Sequence, residues 1–211
     1  MTRVVVDPVQ PDPMAIARAA ATLREGGVVA IPTDTLYGLA ADPWNPAAVA
    51  RIFAIKGREE DRPLPLVAAN VTQVTRWIGE MDRVASRLAE RFWPGPLTLV
   101  MRAPAELPSN VTAGGGTIGI RVPAHAVTIA LCAAFDRPIT ATSANTSGQP
   151  ATDRPDFVAE QLSMGLDVLL DAGITPGGPA STIVDVTQAE VRLLRAGAVS
   201  WEDVTRCAQR G

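Results

Sequence analysis

Residues 114–123 read Gly114-Gly115-Gly116-Thr117-Ile118-Gly119-Ile120-Arg121-Val122-Pro123 and contain the string G-x-G-x-x-G. In a dinucleotide-binding fold that string leaves a strand and opens a helix, so that helix amides hold a pyrophosphate. Here the run that follows, 118–122, reads as a strand and ends at a proline. The context therefore speaks against the dinucleotide motif, and the glycines read better as a flexible loop that closes near a ligand.

Working outward from this stretch, 103–117 is rich in Pro, Ser and Gly without periodicity and is the longest loop candidate. Upstream, 97–101 reads as a strand. Residues 82–92 read as an amphipathic helix, with Val84, Leu88 and Phe92 inward and Arg83, Arg87, Glu90 and Arg91 outward. Further upstream the pattern predicts strands over 4–6, 28–31 and 64–68. It predicts helices over 13–24, from Asn45-Pro46 to about Phe53, and over 71–77. Downstream it predicts helices over 126–135 and 156–162, strands over 139–141, 181–186 and 191–194, and an apolar run at 168–170. A last helix opens at Ser200, with Asp203 completing the cap. Strands and helices mix without strict alternation. The fold class expected is α/β (α+β): one domain over 1–211, with a twisted mixed sheet flanked by helices.

Composition narrows the function classes. The chain has 211 residues, 47% hydrophobic and 19% charged, enough for a core. It contains no apolar run of bilayer length, and 1–13 lacks the layout of a signal peptide, so a soluble cytoplasmic protein is expected. A net charge of −3 excludes a surface that attracts nucleic acid everywhere and leaves room for a local basic patch. Cys132 and Cys207 form neither a zinc spacing nor a disulfide framework, and Cys132 sits in an apolar run as a structural thiol. His125 is the single histidine, at a helix start. No G-x-S-x-G elbow accompanies it, so a serine hydrolase is not indicated, and no metal site is expected. Lys56 is the single lysine beside 18 arginines, which suggests a position that needs a compact ammonium.

Three polar segments read as an anion-handling site. Pro32-Thr33-Asp34-Thr35-Leu36-Tyr37-Gly38-Leu39 places hydroxyls in a turn after a strand. Lys56-Gly57-Arg58 sets two cations beside a glycine at a helix end, which suits either phosphate binding or the helix dipole. Ser143-Ala144-Asn145-Thr146-Ser147-Gly148 follows a strand with small hydroxyls and an amide that suit phosphate and ribose, or a polar turn.

These segments, in this order, resemble the YrdC-like family of threonylcarbamoyl-AMP synthases. Trp93-Pro94-Gly95-Pro96-Leu97-Thr98, Gly119-Ile120-Arg121-Val122-Pro123, Pro179-Ala180-Ser181-Thr182-Ile183-Val184-Asp185 and Leu193-Leu194-Arg195-Ala196-Gly197 extend the resemblance over about 13–204. Glu59 and Arg62 depart from it: the family usually has Pro after K-x-R and often Asn before the next Pro.

The resemblance implies an α/β twisted sheet with a concave basic face. It implies an enzyme, a nucleotidyltransferase, that makes threonylcarbamoyl-AMP and pyrophosphate from L-threonine, bicarbonate and ATP, with Mg2+ accompanying the ATP. The product would pass to a partner that modifies tRNA. By the same resemblance Lys56 and Arg58 would act catalytically on the triphosphate, and Thr117, Ser143, Asn145 and Arg195 would complete ATP binding. Thr33, Arg121, Ala141 and Ser181 would bind threonine, with Arg121 on its carboxylate. The alternative is a non-catalytic binder of double-stranded RNA or tRNA with the same fold. A hydrogenase-maturation relative is a further rival, but such chains are longer and carry cysteine motifs absent here.

Overall fold

The computed structural model describes residues 1–57 and 62–209. In chain order the elements are β1 (Thr2–Val5), α1 (Pro13–Arg24), β2 (Val29–Ile31), β3 (Gly38–Ala40), α2 (Pro46–Lys56), β4 (Leu66–Val67), α3 (Val71–Trp77), α4 (Arg83–Phe92), β5 (Leu97–Arg102), α5 (Ser109–Thr112), β6 (Thr117–Arg121), α6 (Ala126–Phe135), β7 (Ile139–Thr140), β8 (Thr142–Ser143), α7 (Pro155–Leu162), β9 (Val168–Asp171), β10 (Thr182–Asp185), β11 (Arg192–Arg195) and α8 (Trp201–Gln209).

Local chemistry sets the helix ends. The Asp12 carboxylate accepts from the Met14 amide, with Pro13 in the first turn of α1. The Asn45 side chain accepts from the amides of Ala47 and Ala48. Helix α2 runs past Phe53 to Lys56 and stops at Gly57, whose φ of 59° lies in the left-handed region glycine adopts at little cost. Asp82 caps α4 through the Ala85 amide at 2.7 Å. The Ser200 hydroxyl accepts from the Asp203 amide at 3.1 Å, as the capping pattern predicts.

The mixed α/β architecture is the one expected, but its strands divide into two paired sets. One has the order β1-β9-β2-β3-β8 and the other β11-β10-β5-β6-β4-β7. Both mix directions: β2 is parallel to β9 and antiparallel to β3, while β5 is parallel to β10 and antiparallel to β6. Strands β7 and β8 are separated by Ala141 alone, so 139–143 hands the chain from one sheet to the other.

Alternation along the strands assigns the faces. In the five-stranded sheet, Val28, Ala30, Leu39 and Leu169 enter one apolar core, and Val29, Ile31, Ala40, Val168 and Leu170 enter a second. Helices α1 and α6 cover the second through Ile16, Ala19, Ala20, Leu23, Val127 and Leu131. Both faces of this sheet's central strands β2, β3 and β9 are buried, which explains their largely apolar sequences. The six-stranded sheet differs. Leu97, Leu99 and Met101 of β5, with Ile118 and Ile120 of β6, face the first core. Thr98, Val100, Gly119 and Arg121, in the alternate register, line an open cleft. Burying a side chain such as Leu99 or Ile120, both fully inaccessible, is worth about 1.5–3 kcal/mol.

Two sequence expectations change. Residues 103–117 are more than a loop: they contain α5, and Leu107 and Val111 are buried in the first core. The Val111 carbonyl also accepts from the Leu64 amide at 2.9 Å. None of these residues except Thr117 is a candidate contact, and none lines the cleft. The physical reason is that two isolated apolar residues suffice to pin an irregular segment when each meets a packed core. Second, β3 and β8 are strands of only three and two residues inside segments that read as polar turns. Among the described residues no helix is long and apolar enough to cross a membrane.

Candidate active site

The cleft has a volume of about 410 Å³. Its floor is the exposed face of β5, β6 and β10, and its walls are the ends of four loops. The antiparallel pair β2–β3, in register Ile31↔Gly38, throws 32–37 over one side. Pairing of β3 with β8, Gly38↔Ser143, sets the start of the 143–148 segment beside it. Residues 62–65 form a third wall, and Ala180, Ser181 and Arg195 a fourth. Gly119 keeps the floor low: a Cβ there would stand 3.1 Å from Thr98 Cγ2.

The 32–37 turn is held from within. The Thr33 hydroxyl lies 3.1 Å from that of Thr35, donates to the Leu36 carbonyl at 2.7 Å, and accepts from the Thr35 amide at 3.2 Å. Tyr37, 1% exposed, donates its hydroxyl to the Gly173 carbonyl at 2.7 Å and accepts from the Ala172 amide at 3.1 Å. Burial raises its pKa, which keeps that donor protonated. The Ala144 amide donates to the Tyr37 carbonyl at 3.0 Å, so the two loops share a fastening.

Arg121 rises from the end of β6 and donates to Asp34 Oδ1 at 2.9 Å; both side chains are 9% exposed. Asp34 Oδ2 is buried and takes no hydrogen bond among the described residues. Burial lowers the Arg121 pKa, Asp34 opposes this, and the nearby Arg195 adds to it. A guanidinium stays charged throughout the ordinary pH range. The site therefore holds a fixed, desolvated cation with a plane suited to a carboxylate. Arg195 donates to the Ser181 carbonyl from Nε at 3.1 Å and from Nη2 at 2.7 Å, and its Nη2 lies 3.0 Å from the Ser181 hydroxyl. That hydroxyl is 2.8 Å from Thr98 Oγ1.

Of the residues predicted from sequence, Thr33, Arg121, Ala141, Ser143, Ser181 and Arg195 line one cleft. Thr117 does not. It lies four residues before Arg121 on the same face of β6, roughly 13 Å along the strand. Lys56 and Asn145 stand behind the wall. The Lys56 ammonium, on a residue 3% exposed, donates to the carbonyls of Ser143 at 2.6 Å and Asn145 at 2.9 Å, with Ser143 Oγ and Asn145 Oδ1 each at 3.4 Å. The Asn145 amide nitrogen donates to the carbonyls of Thr146 at 2.9 Å and Gln149 at 2.6 Å. The two side chains thus shape the loop that presents Ser143. Arg58 and Glu59 lie outside the described residues. Sequence reading passed over Thr35, Arg62 and Thr98 as site residues. Each stands inside or beside a quoted motif, and only their meeting in the cleft singles them out.

The model of the Sua5/YciO/YrdC family, described as telomere recombination, matches residues 21–197. The chain belongs to this family. Threonylcarbamoyl-AMP synthase of Pyrococcus abyssi is 40% identical over 188 residues, covering 89% of this chain and 55% of the relative. The enzyme of the same name from Vibrio cholerae is 39% identical over 186 residues, covering 86% of this chain and 97% of the relative. The crystal structure of P. abyssi Sua5 complexed with L-threonine superimposes with a TM-score of 0.93 at 38% identity, covering 98% of this chain and 61% of that one. The chain thus spans little more than half the length of the Pyrococcus relative and nearly all of the Vibrio one. Residues of six quoted motif segments, Thr33, Thr98, Arg121, Ser143, Ser181 and Arg195, line the cleft.

Proposed function

We propose that this chain is a threonylcarbamoyl-AMP synthase, an enzyme that converts L-threonine, bicarbonate and ATP into threonylcarbamoyl-AMP and pyrophosphate. One observation carries the reading: Thr33, Arg121, Ala141 and Ser181 share a single cleft with Ser143 and Arg195. A guanidinium of a shape suited to a carboxylate stands beside groups suited to a nucleotide. The relatives named threonylcarbamoyl-AMP synthase, and the threonine complex of the Pyrococcus protein, support the same reading.

The chemistry is balanced as follows. The threonine amino nitrogen bonds to the carbon of bicarbonate and water leaves, giving N-carboxythreonine. A carboxylate oxygen of this carbamate attacks the α-phosphorus of ATP. The bond from that phosphorus to the bridging oxygen breaks, and pyrophosphate departs with the electron pair. Nucleophile and electrophile are both anionic, so the protein's task is to hold them together against repulsion. Arg121 takes the threonine carboxylate, with Thr33, Ala141 and Ser181 around the amino acid. Ser143 and Arg195 take the nucleotide, on a loop that Lys56 and Asn145 hold in shape. Lys56, Arg58 and Thr117 remain candidates for direct nucleotide contact through closure of the cleft.

Among the described residues no three of His, Cys, Asp and Glu gather as a metal cage. Magnesium in this reading accompanies the triphosphate as its counter-ion, held by phosphate oxygens and water. The product is a mixed anhydride, whose natural consumer is a transferase that modifies tRNA in the cytoplasm.

The test is mass spectrometry of a reaction containing all three substrates and magnesium, with pyrophosphate measured in parallel. Threonine-dependent pyrophosphate and an adenylate of the expected mass are the predicted result. RNA retained by the chain, with no threonine-dependent pyrophosphate, would instead establish the binding-module alternative.

A further inference from the structure

Two arginines that line the cleft, Arg121 and Arg195, are held from behind by different kinds of partner. Arg195 donates to the Ser181 carbonyl at 2.7 and 3.1 Å and lies 3.0 Å from its hydroxyl, both neutral groups. Arg121 donates from Nη1 to Asp34 Oδ1 at 2.9 Å, an ion pair whose two side chains are each 9% exposed. The cleft thus presents the same fork of donors twice with unequal net charge. Among the described residues Arg195 is in no ion pair and keeps its full positive charge, whereas Arg121 is compensated by a carboxylate.

The turn that carries Asp34 is fastened by other groups. The Thr33 hydroxyl donates to the Leu36 carbonyl, and the Tyr37 amide to the Thr152 carbonyl. The Thr175 hydroxyl and the Gly177 amide both donate to the Thr35 carbonyl. Nor does the hydrogen bond from Arg121 call for a carboxylate. Asp34 accepts through Oδ1 alone, and its Oδ2 is buried without a hydrogen bond among the described residues. An asparagine in the same place would accept that one bond as well. What the carboxylate adds is its negative charge, and a buried charge with one oxygen left unpaired is costly to keep.

We infer that Asp34 is a specificity-determining residue of the cleft: its charge reserves Arg121 for the carboxylate of the amino acid and turns the phosphates of the nucleotide away from it. The inference rests on the reading above, in which the cleft takes threonine and a nucleotide together. Both ligands bring anionic oxygens, and an uncompensated guanidinium binds phosphate as readily as carboxylate. Threonine is a zwitterion without net charge, so it meets the neutral Asp34–Arg121 pair without net repulsion. A polyphosphate carries several negative charges, and a carboxylate beside it in a buried, poorly screened place repels it. Discrimination between two partners often rests on such a repulsive group set against the wrong one. A carboxylate kept for stability alone, as the counter-charge of a buried guanidinium, would leave the choice of anion unaffected.

Calorimetric titration of the protein with threonine, with and without saturating inorganic pyrophosphate, separates the outcomes. In the wild type, threonine affinity is expected to stay within about 2-fold when pyrophosphate is added. In Asp34→Asn, which keeps the acceptor and removes the charge, pyrophosphate should bind about 5-fold tighter or more and should compete with threonine. Asp34→Glu, which keeps the charge, should hold pyrophosphate off the threonine position as the wild type does. Competition in the wild type or in Asp34→Glu overturns the inference, even if Asp34→Asn fails to fold. An Asp34→Asn protein with a lower melting temperature but unchanged pyrophosphate affinity and no competition overturns it too, and leaves Asp34 a counter-charge only. Each of these results leaves the reading of the cleft standing. A wild type that binds no threonine overturns that reading and the inference with it.

Discussion

At the scale of single residues, Lys56 has a structural duty that its sequence did not reveal. As the single lysine it read as a triphosphate ligand beside Arg58, and its ammonium proves to be seated between two backbone carbonyls at 2.6 and 2.9 Å. A compact ammonium fits such a nest, whereas a guanidinium is wider and flat. Lys56→Arg should therefore destabilise the ligand-free protein by about 1–3 kcal/mol through overpacking, seen as a lower melting temperature. Lys56→Met, which leaves buried carbonyls unpaired, should do at least as much, at about 1–3 kcal/mol for each orphaned group. Activity should fall in step, because the same loop presents Ser143. A lysine whose sole task is to touch phosphate predicts something else: full stability without ligand and a selective loss of rate. An unchanged melting temperature in both variants, with a selective loss of rate, would leave Lys56 with the phosphate contact as its sole task.

At the scale of elements, the strand pair β5–β6 divides fold from function by alternate residues. Leu99 and Ile120 face the core, while Thr98, Gly119 and Arg121 face the cleft. Gly119 is thus a glycine kept for space in the cleft, in a strand whose propensity would favour a branched residue. Gly119→Val should preserve or slightly raise stability, with its side chain pressed against Thr98 and into the cleft. Threonine or ATP affinity should drop at least ~10-fold, about 1.4 kcal/mol. Gly119→Ala should show a smaller loss in the same direction. Threonine and ATP binding at wild-type strength in the valine variant would show that this face of β6 is not the floor of the ligand site. The segment 103–117 makes the complementary point. Its glycines and prolines read as an irregular loop; Leu107 and Val111 anchor part of it in the core, and Pro and Gly content alone does not reveal such anchors.

At the scale of the whole molecule, pH reports how the site is packed. His125, before α6, is half-buried and its Nδ1 takes no hydrogen bond among the described residues. Burial lowers its pKa below the ordinary 6.5, with Asp34 pulling weakly the other way. As pH falls through 6.5 the unfolded chain gains a proton that the folded chain resists, so this contribution is present above 6.5 and is lost on acidification. The melting temperature should decline between about pH 6.5 and the lowered folded value, and His125→Gln should flatten that part of the curve. An identical pH dependence in the variant would remove His125 from the account. Much of the molecule was legible before any coordinates. The periodicity of α1 and α4, the caps at Asn45 and Ser200, and the strands around 97–101 and 118–122 are local matters, fixed by spacing and by side chains that reach their own backbone. The resemblance to the family singled out Thr33, Arg121, Ser143, Ser181 and Arg195, which share one cleft. Contacts between segments far apart in the chain were not legible. Sequence could not say that Lys56 faces the carbonyls at 143–145, that Asp34 engages Arg121, or that Arg62 shares a cavity with Arg195. Those facts depend on which strands pair and which faces meet, and a linear pattern does not contain that information because the partners are chosen by packing across the whole fold.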